Sequence, residues 1–275
     1  MAAWFRLFRI QNALIAVAGV WLGWFATRGA HPSLLIAIWG SLSMALLTMA
    51  GNADNDVCDL EEDRVNRPGR PLAAGLLKAS QVRIAAFGLY ALGIVAATLA
   101  SPLHGLLALG MALLLLAYNR FLKGLPLVGN FAVAFLCALA IYFPEFPGLI
   151  HFTLPAFVFA FLATLAREVI KDAEDVEGDR AAKLRTLPLV IGVSRTRKLA
   201  FSLTAVLFAL LPLPVVLFGY RWPYLVLSTV LVGPFLIALL LELVKPAADY
   251  SRCQRYFKWM IQGGILALLA GTLSS

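Results

Sequence analysis

Residues 52–70 read Asn52-Ala53-Asp54-Asn55-Asp56-Val57-Cys58-Asp59-Leu60-Glu61-Glu62-Asp63-Arg64-Val65-Asn66-Arg67-Pro68-Gly69-Arg70. Six acids stand here directly after a long apolar run, where ionisable groups are expensive and usually functional. Asn52, Asp56, Asp59 and Asp63 are spaced by four, three and four. On a helix that spacing stacks all four on one face. Like charges stacked this way repel, so the face costs stability unless a cation sits on it. The same spacing recurs in Glu168, Asp172, Asp175 and Asp179.

Outward from this stretch the chain is apolar. Of its 275 residues 61% are hydrophobic and 14% charged, against roughly a quarter charged in soluble domains. Runs of about twenty apolar residues recur along the whole length, which predicts an all-α, polytopic membrane protein. A β-barrel would show short alternating segments instead. Nine spans are expected, near 10–27, 33–52, 82–100, 102–119, 126–143, 150–168, 198–219, 222–244 and 256–273. Pro32, Pro102, Pro126 and Pro223 fall near proposed helix starts, where proline is tolerated. Pro212 and Pro214 lie inside the seventh run and should kink it. The first run with Arg6 and Arg9 also fits a signal peptide, but the membrane pattern continues unbroken after it. Cys58, Cys137 and Cys253 have no paired spacing and define neither a disulfide nor a zinc site.

The net charge of +8 is distributed by topology, which argues against nucleic acid as its partner. With the N-terminus and every loop after an even-numbered run on one side, that side holds every Lys and Arg except Arg28 and Arg221. Cytoplasmic loops carry such an excess, so this side is expected to be the cytoplasmic face of the cell membrane. Both acid clusters lie on it, one after span two and the other after span six. The four-span interval points to a duplicated four-helix unit. In a cysteine-less background, single cysteines in loops 60–80 and 170–197 should therefore resist an impermeant thiol reagent applied from outside. A cysteine at Ser275 should react. The reverse pattern would overturn the nine-span topology.

Each acid cluster alone reads as a solvated helix end. Two clusters with one spacing, on one side and interleaved with cations, read better as a metal and phosphate site. Hard divalent cations take carboxylate oxygens, and magnesium keeps positions open for substrate phosphates. Arg67, Arg70, Arg167 and Lys171 stand where they would take the remaining phosphate oxygens.

The pattern Asn55-Asp56, Asp59, Asp63, Asn66-Arg67-Pro68-Gly69-Arg70-Pro71, with Arg167-Glu168-Val169-Ile170-Lys171-Asp172, Asp175 and Gly178-Asp179, resembles the UbiA superfamily of intramembrane prenyltransferases. The likeness covers the whole chain as a single domain, 1–275. It implies a nine-helix bundle with a central lipid-open cavity, binding magnesium and an isoprenyl diphosphate. It assigns metal binding to Asp56, Asp59, Asp63, Asp172, Asp175 and Asp179, with Asn55 and Lys171 also catalytic. It places Tyr118 and Lys123 beside the diphosphate, in Tyr118-Asn119-Arg120-Phe121-Leu122-Lys123 followed by Gly129-Asn130, and gives substrate binding also to Arg67, Arg70 and Arg167. A membrane-interface tyrosine with a snorkelling lysine would leave the same trace. The two motif spacers, with Arg185-Thr186-Leu187-Pro188, are most similar to the geranylgeranylglyceryl-phosphate geranylgeranyltransferases, although Arg185 stands where a lysine is commoner. An aromatic acceptor such as 4-hydroxybenzoate is the alternative.

The implied chemistry begins with loss of the diphosphate, whose developing charge magnesium and cations would neutralise. The allyl cation needs shielding from water, and aromatic faces stabilise cations. Phe131, Phe135, Tyr142, Phe157 and Phe161 are candidates for that role or for ordinary packing. Two other classes compete. A divalent-cation transporter would place charges near the bilayer midplane, whereas these clusters lie at one face. A lipid-assembly scaffold has no need of two metal-spaced acid faces.

Overall fold

Apolar runs inside a membrane must satisfy every backbone amide internally, and helices do so. The computed structural model describes residues 2–27, 32–148 and 150–274, and every regular element among them is helical. Arg28 and Ser275, on which parts of the topology rest, lie outside the described residues.

The elements are α1 (Ala2–Phe8), α2 (Ile10–Ala26), α3 (Leu34–Cys58), α4 (Leu60–Asn66), α5 (Ala79–Ala100), α6 (Pro102–Ala117), α7 (Val128–Tyr142), α8 (Leu154–Glu174), α9 (Val176–Ala181), α10 (Leu187–Ile191), α11 (Val193–Leu210), α12 (Leu213–Phe218), α13 (Trp222–Leu227), α14 (Gly233–Val244) and α15 (Tyr250–Ser274). Two π turns continue helices: Tyr118–Leu122 after α6, and Ser228–Val232 between α13 and α14. Units Leu34–Cys58, Ala79–Ala100, Pro102–Leu122 and Trp222–Val244 are each long and apolar enough to cross a membrane. The α1–α2 pair makes a fifth, bent by 47°. The remaining runs of the sequence fall on α7, which has 15 residues, and on α8, α11 and α15, whose ends carry charged residues.

Helix starts follow local chemistry. Ser101 caps α6, its Oγ accepting from the His104 amide at 3.3 Å, with Pro102 in the first turn. Ser33 does the same for α3 through Leu35. The seventh run is broken rather than merely bent: α11 ends at Leu210 and α12 starts at Leu213, with Pro212 between. Proline lacks the amide that would carry the ladder through.

The helices form two groups. α2, α3, α5 and α6 pack with α7 around Met44, Leu47, Tyr90, Met111 and Phe143. α8, α11, α14 and α15 pack around Ile170, Leu236, Leu239 and Phe257. α2 joins them, meeting α7 and α15. It approaches α7 so closely that a Cβ on Gly23 would stand 1.9 Å from the Ile141 carbonyl oxygen. Only glycine permits that approach.

The two acid motifs share one local structure. α3 passes into α4 at Asp59 (φ −94°, ψ 12°), and α8 into α9 at Asp175 (φ −90°, ψ 8°). The i→i−4 bonding continues through both joints: Asp59 to Asn55 at 2.8 Å, Asp63 to Asp59 at 2.8 Å, Asp175 to Lys171 at 2.9 Å, and Asp179 to Asp175 at 3.0 Å. One motif ends each helix group, and α4 packs against α9. The duplicated spacing in the sequence thus corresponds to a repeated helix joint.

Candidate active site

Continuous helix bonding through Asp59 and Asp175 keeps the later acid of each motif near the earlier ones. Asn66, at the end of α4, ties the two motifs together. Its Nδ2 donates to the Asp175 carbonyl at 3.1 Å, and its Oδ1 accepts from the Gly178 amide at 3.0 Å. A Cβ on Gly178 would lie 2.0 Å from Asn66 Nδ2, so residue 178 must be glycine for this latch to close.

Between the motifs lies a small polar pocket of about 20 Å³. It is lined by Glu62, Tyr118, Lys123, Gly129, Asn130, Lys171, Asp172, Asp175, Asp179 and Thr186. Lys123 Nζ contacts Asp59 and Glu62, both at 2.6 Å. Burial pulls its pKa down, but the two carboxylates outweigh that and hold it above the usual lysine value. Arg67 reaches across from the first motif to both Asp175 oxygens at 2.8 and 3.1 Å.

Asp172 and Asp179 have different partners. Asn130 donates to Asp172 at 3.0 Å and Thr186 to Asp179 at 2.7 Å. Both donors are neutral. Burial pushes the Asp172 carboxyl up to about 7 and the Asp179 carboxyl up to about 6, against the pull of those hydrogen bonds. Enclosed carboxylates whose hydrogen-bond donors are neutral suit a bound cation.

Asp56 and Asp63 form an adjoining cluster outside the pocket lining. Arg70 Nη1 lies 2.5 Å from Asp63 and 3.4 Å from Asp56. Arg9 pairs with Asp56 and donates to Asn52 Oδ1 at 3.3 Å. Arg9 sits at the α1–α2 bend with φ 49°, ψ 59°. That left-handed backbone costs a non-glycine residue about 1–2 kcal/mol. Among the described residues no three acidic, histidine or cysteine side chains converge as a ready-made metal cage. The acids are instead distributed among arginines, a lysine, Asn130 and Thr186.

Next to the polar pocket runs an apolar groove of about 540 Å³, lined by Leu114, Leu122, Val128, Phe131, Ala132, Phe135, Phe157 and Phe161. Leu122 precedes Lys123, and Val128 and Phe131 flank Gly129 and Asn130, so groove and pocket share a wall. Phe131 meets Phe161 edge-on at 5.4 Å, and Phe135 meets Phe157 at 6.1 Å. Tyr142 does not belong to this group: its hydroxyl donates to the Gly148 carbonyl at 2.5 Å.

Residues 15–261 match the UbiA prenyltransferase family. The chain belongs to the UbiA prenyltransferase family. It is an enzyme of the membrane, built from the apolar helices described above. It is 38% identical to the digeranylgeranylglyceryl phosphate synthase of Methanoculleus marisnigri, over 86% of this chain and 84% of that one. It is 36% identical to the synthase of the same name from Methanopyrus kandleri, over 99% and 100%. Its fold is similar to that of a UbiA homologue from Archaeoglobus fulgidus solved with DMAPP and Mg2+, with a TM-score of 0.71, 20% identity, and coverage of 96% and 98%.

Of the UbiA site residues expected from sequence, Tyr118, Lys123, Lys171, Asp172, Asp175 and Asp179 line one pocket. Asp59 and Arg67 join it through ion pairs with Lys123 and Asp175, whereas Asp56, Asp63 and Arg70 pair within the adjoining cluster and do not line it. Arg167 lies further out, paired with Glu168 at 2.9 Å. Asn55 donates to Asn119 at 3.4 Å. Arg9 was legible only as an N-terminal basic residue, and its pairing with Asp56 spans 47 positions. Glu62 carried a signal, standing three residues after Asp59 on a helical face.

Proposed function

We propose that this prenyltransferase moves a geranylgeranyl group from its diphosphate to geranylgeranylglyceryl phosphate, at the cytoplasmic face of the plasma membrane. The observation that carries this reading is the shared wall between an acid-and-cation pocket and a phenylalanine groove. A prenyl diphosphate has one end of each kind. The likeness to synthases of that name over most of the chain supports the acceptor. The reading takes the chain as one domain of nine membrane-crossing units, its groove open to lipid.

Asp56, Asp59, Asp63, Asp172, Asp175 and Asp179 would hold magnesium, whose hard-oxygen preference matches this donor set. When bound, magnesium neutralises the charge that develops on the departing diphosphate. Lys123 and Lys171 line the pocket and bind diphosphate oxygens, with Arg67 and Arg70 at its edge. Tyr118, in the pocket lining, fixes the diphosphate from its wall. The groove seats the prenyl tail and excludes water from the allyl cation. Phe131, Phe135, Phe157 and Phe161 place ring faces where that cation passes. The acceptor hydroxyl then forms the new C–O bond to the allyl cation, and its proton passes to the released diphosphate. Arg64, Lys78 and Arg167 are cations outside the pocket lining, available to an acceptor phosphate.

Direct competition between geranylgeranylglyceryl phosphate and 4-hydroxybenzoate, with geranylgeranyl diphosphate as donor, tests the assignment. The ether-lipid product is expected to dominate, read by mass spectrometry. Exclusive formation of the aromatic product would replace this acceptor with the aromatic one. Arg167→Ala should raise the acceptor KM by about tenfold, the loss of roughly one charged hydrogen bond, and leave the donor KM nearly unchanged.

A further inference from the structure

Asp54 is an acid of the first motif that the proposed mechanism does not use. Two residues before Asp56, it faces about 160° away around the helix, off the metal face. It is 1% exposed, and both its oxygens are taken by the π turn Tyr118–Leu122. Arg120 holds it at two points, Nη1 to Oδ2 at 2.9 Å and Nη2 to Oδ1 at 3.1 Å. Asn119 Nδ2 donates to Oδ2 at 3.0 Å and to the Gly51 carbonyl at 3.4 Å, while Asn119 Oδ1 accepts from Asn55. The Arg120 guanidinium also stands 5.9 Å from the centre of the Phe87 ring.

The π turn matters because Tyr118 and Lys123 are five residues apart. On an α-helix five residues are about 140° apart, so one of the two would face away from the pocket. The extra residue of a π turn brings i and i+5 onto one side. The Lys123 amide bonds the Tyr118 carbonyl at 3.0 Å in that i+5 pattern, and both side chains line the polar pocket. π turns are rare and less favourable than the α-helix they interrupt, so this one needs an external hold.

We propose that Asp54, with Arg120 and Asn119, is a positioning cluster that clamps the π turn to α3 and thereby aims Tyr118 and Lys123 at the donor diphosphate. The proposal rests on the assignment of that pocket to diphosphate. Asp54 acts through Lys123 without touching it, since the contacts of Lys123 are Asp59 and Glu62.

The test is donor kinetics of the full-length enzyme in detergent for Asp54→Asn, Arg120→Lys, Lys123→Ala and the Asp54→Asn/Lys123→Ala double variant. Arg120→Lys keeps the charge but loses the two-point fork, and serves if Asp54→Asn does not fold. Each clamp variant is expected to lower kcat/KM for the prenyl diphosphate about tenfold, with acceptor KM unchanged. Lys123→Ala should lose more, and the double variant should lose less than the product of the two separate losses, since the clamp then aims Tyr118 alone. A merely structural role would lower thermal stability and multiply the two losses. Multiplied losses, or clamp variants with parental donor kinetics, would overturn the proposal. Parental donor kinetics in Lys123→Ala would overturn the diphosphate assignment itself, and the clamp with it.

Discussion

Asp172→Asn and Asp179→Asn are expected to lower prenyl transfer about 10³-fold, the scale of removing one preorganised charge-stabilising group, while the folded protein becomes no less stable. The two effects separate because of what holds these carboxylates. Asp172 is bonded by Asn130 and Asp179 by Thr186. Both donors are neutral, and a carboxamide oxygen can accept from each of them in the carboxylate's place. The substitution removes a buried charge at Asp179 and a partly buried one at Asp172, neither paired with an arginine, so thermal unfolding should stay level or shift upward. Asp175→Asn gives the contrasting result. It abolishes transfer as well, but it also weakens the two-point contact with Arg67 and so lowers stability. Radiolabelled transfer with magnesium, run beside a thermal melt, reads both quantities. Parental activity of Asp172→Asn in the presence of chelator would refute the metal assignment.

The second large effect concerns tail length. Ala132 lines the groove between Phe131, Phe135 and the rings of α8. Ala132→Phe fills space that a twenty-carbon tail needs. Displacing three or four methylenes, at about 0.8 kcal/mol each, corresponds to roughly 100-fold in kcat/KM for geranylgeranyl diphosphate. A ten-carbon donor, whose tail ends earlier, should lose only a few-fold. Equal losses for both donors would place the tail elsewhere.

Helical periodicity makes the acid faces legible in the order of residues alone. The four-three-four spacing predicts a shared face, and a repeated joint at Asp59 and Asp175 carries it. The positions of the apolar runs are equally plain, because each run coincides with one helix or with two. What stays hidden depends on contacts distant in sequence. Asp172 finds Asn130 and Asp175 finds Arg67 only after the helix groups meet. The π turn is hidden for a different reason: one added residue per turn leaves no periodic trace in five positions. Tyr142 shows how periodicity misleads. It shares a helix face with Phe131 and Phe135, but lies roughly 10 Å further along α7 than Phe135, at the end away from the pocket.

The pairing of the acids also sets an order of assembly as the chain leaves the ribosome. Among the described residues, the cations that pair with the acids of the first motif come from residues 9–123: Arg9 and Arg70 for Asp56, Arg70 for Asp63, Lys123 for Asp59 and Glu62, and Arg120 for Asp54. The acids of the N-terminal half therefore have their cations before α8 is synthesised, Arg67 alone of the pairing arginines there awaiting Asp175, and a chain made N-terminus first can fold that half first. The second motif depends on the first, since the cation of Asp175 is Arg67. The nascent N-terminal half serves as the template on which the C-terminal half docks, and the reverse order would leave Asp175 waiting for its partner.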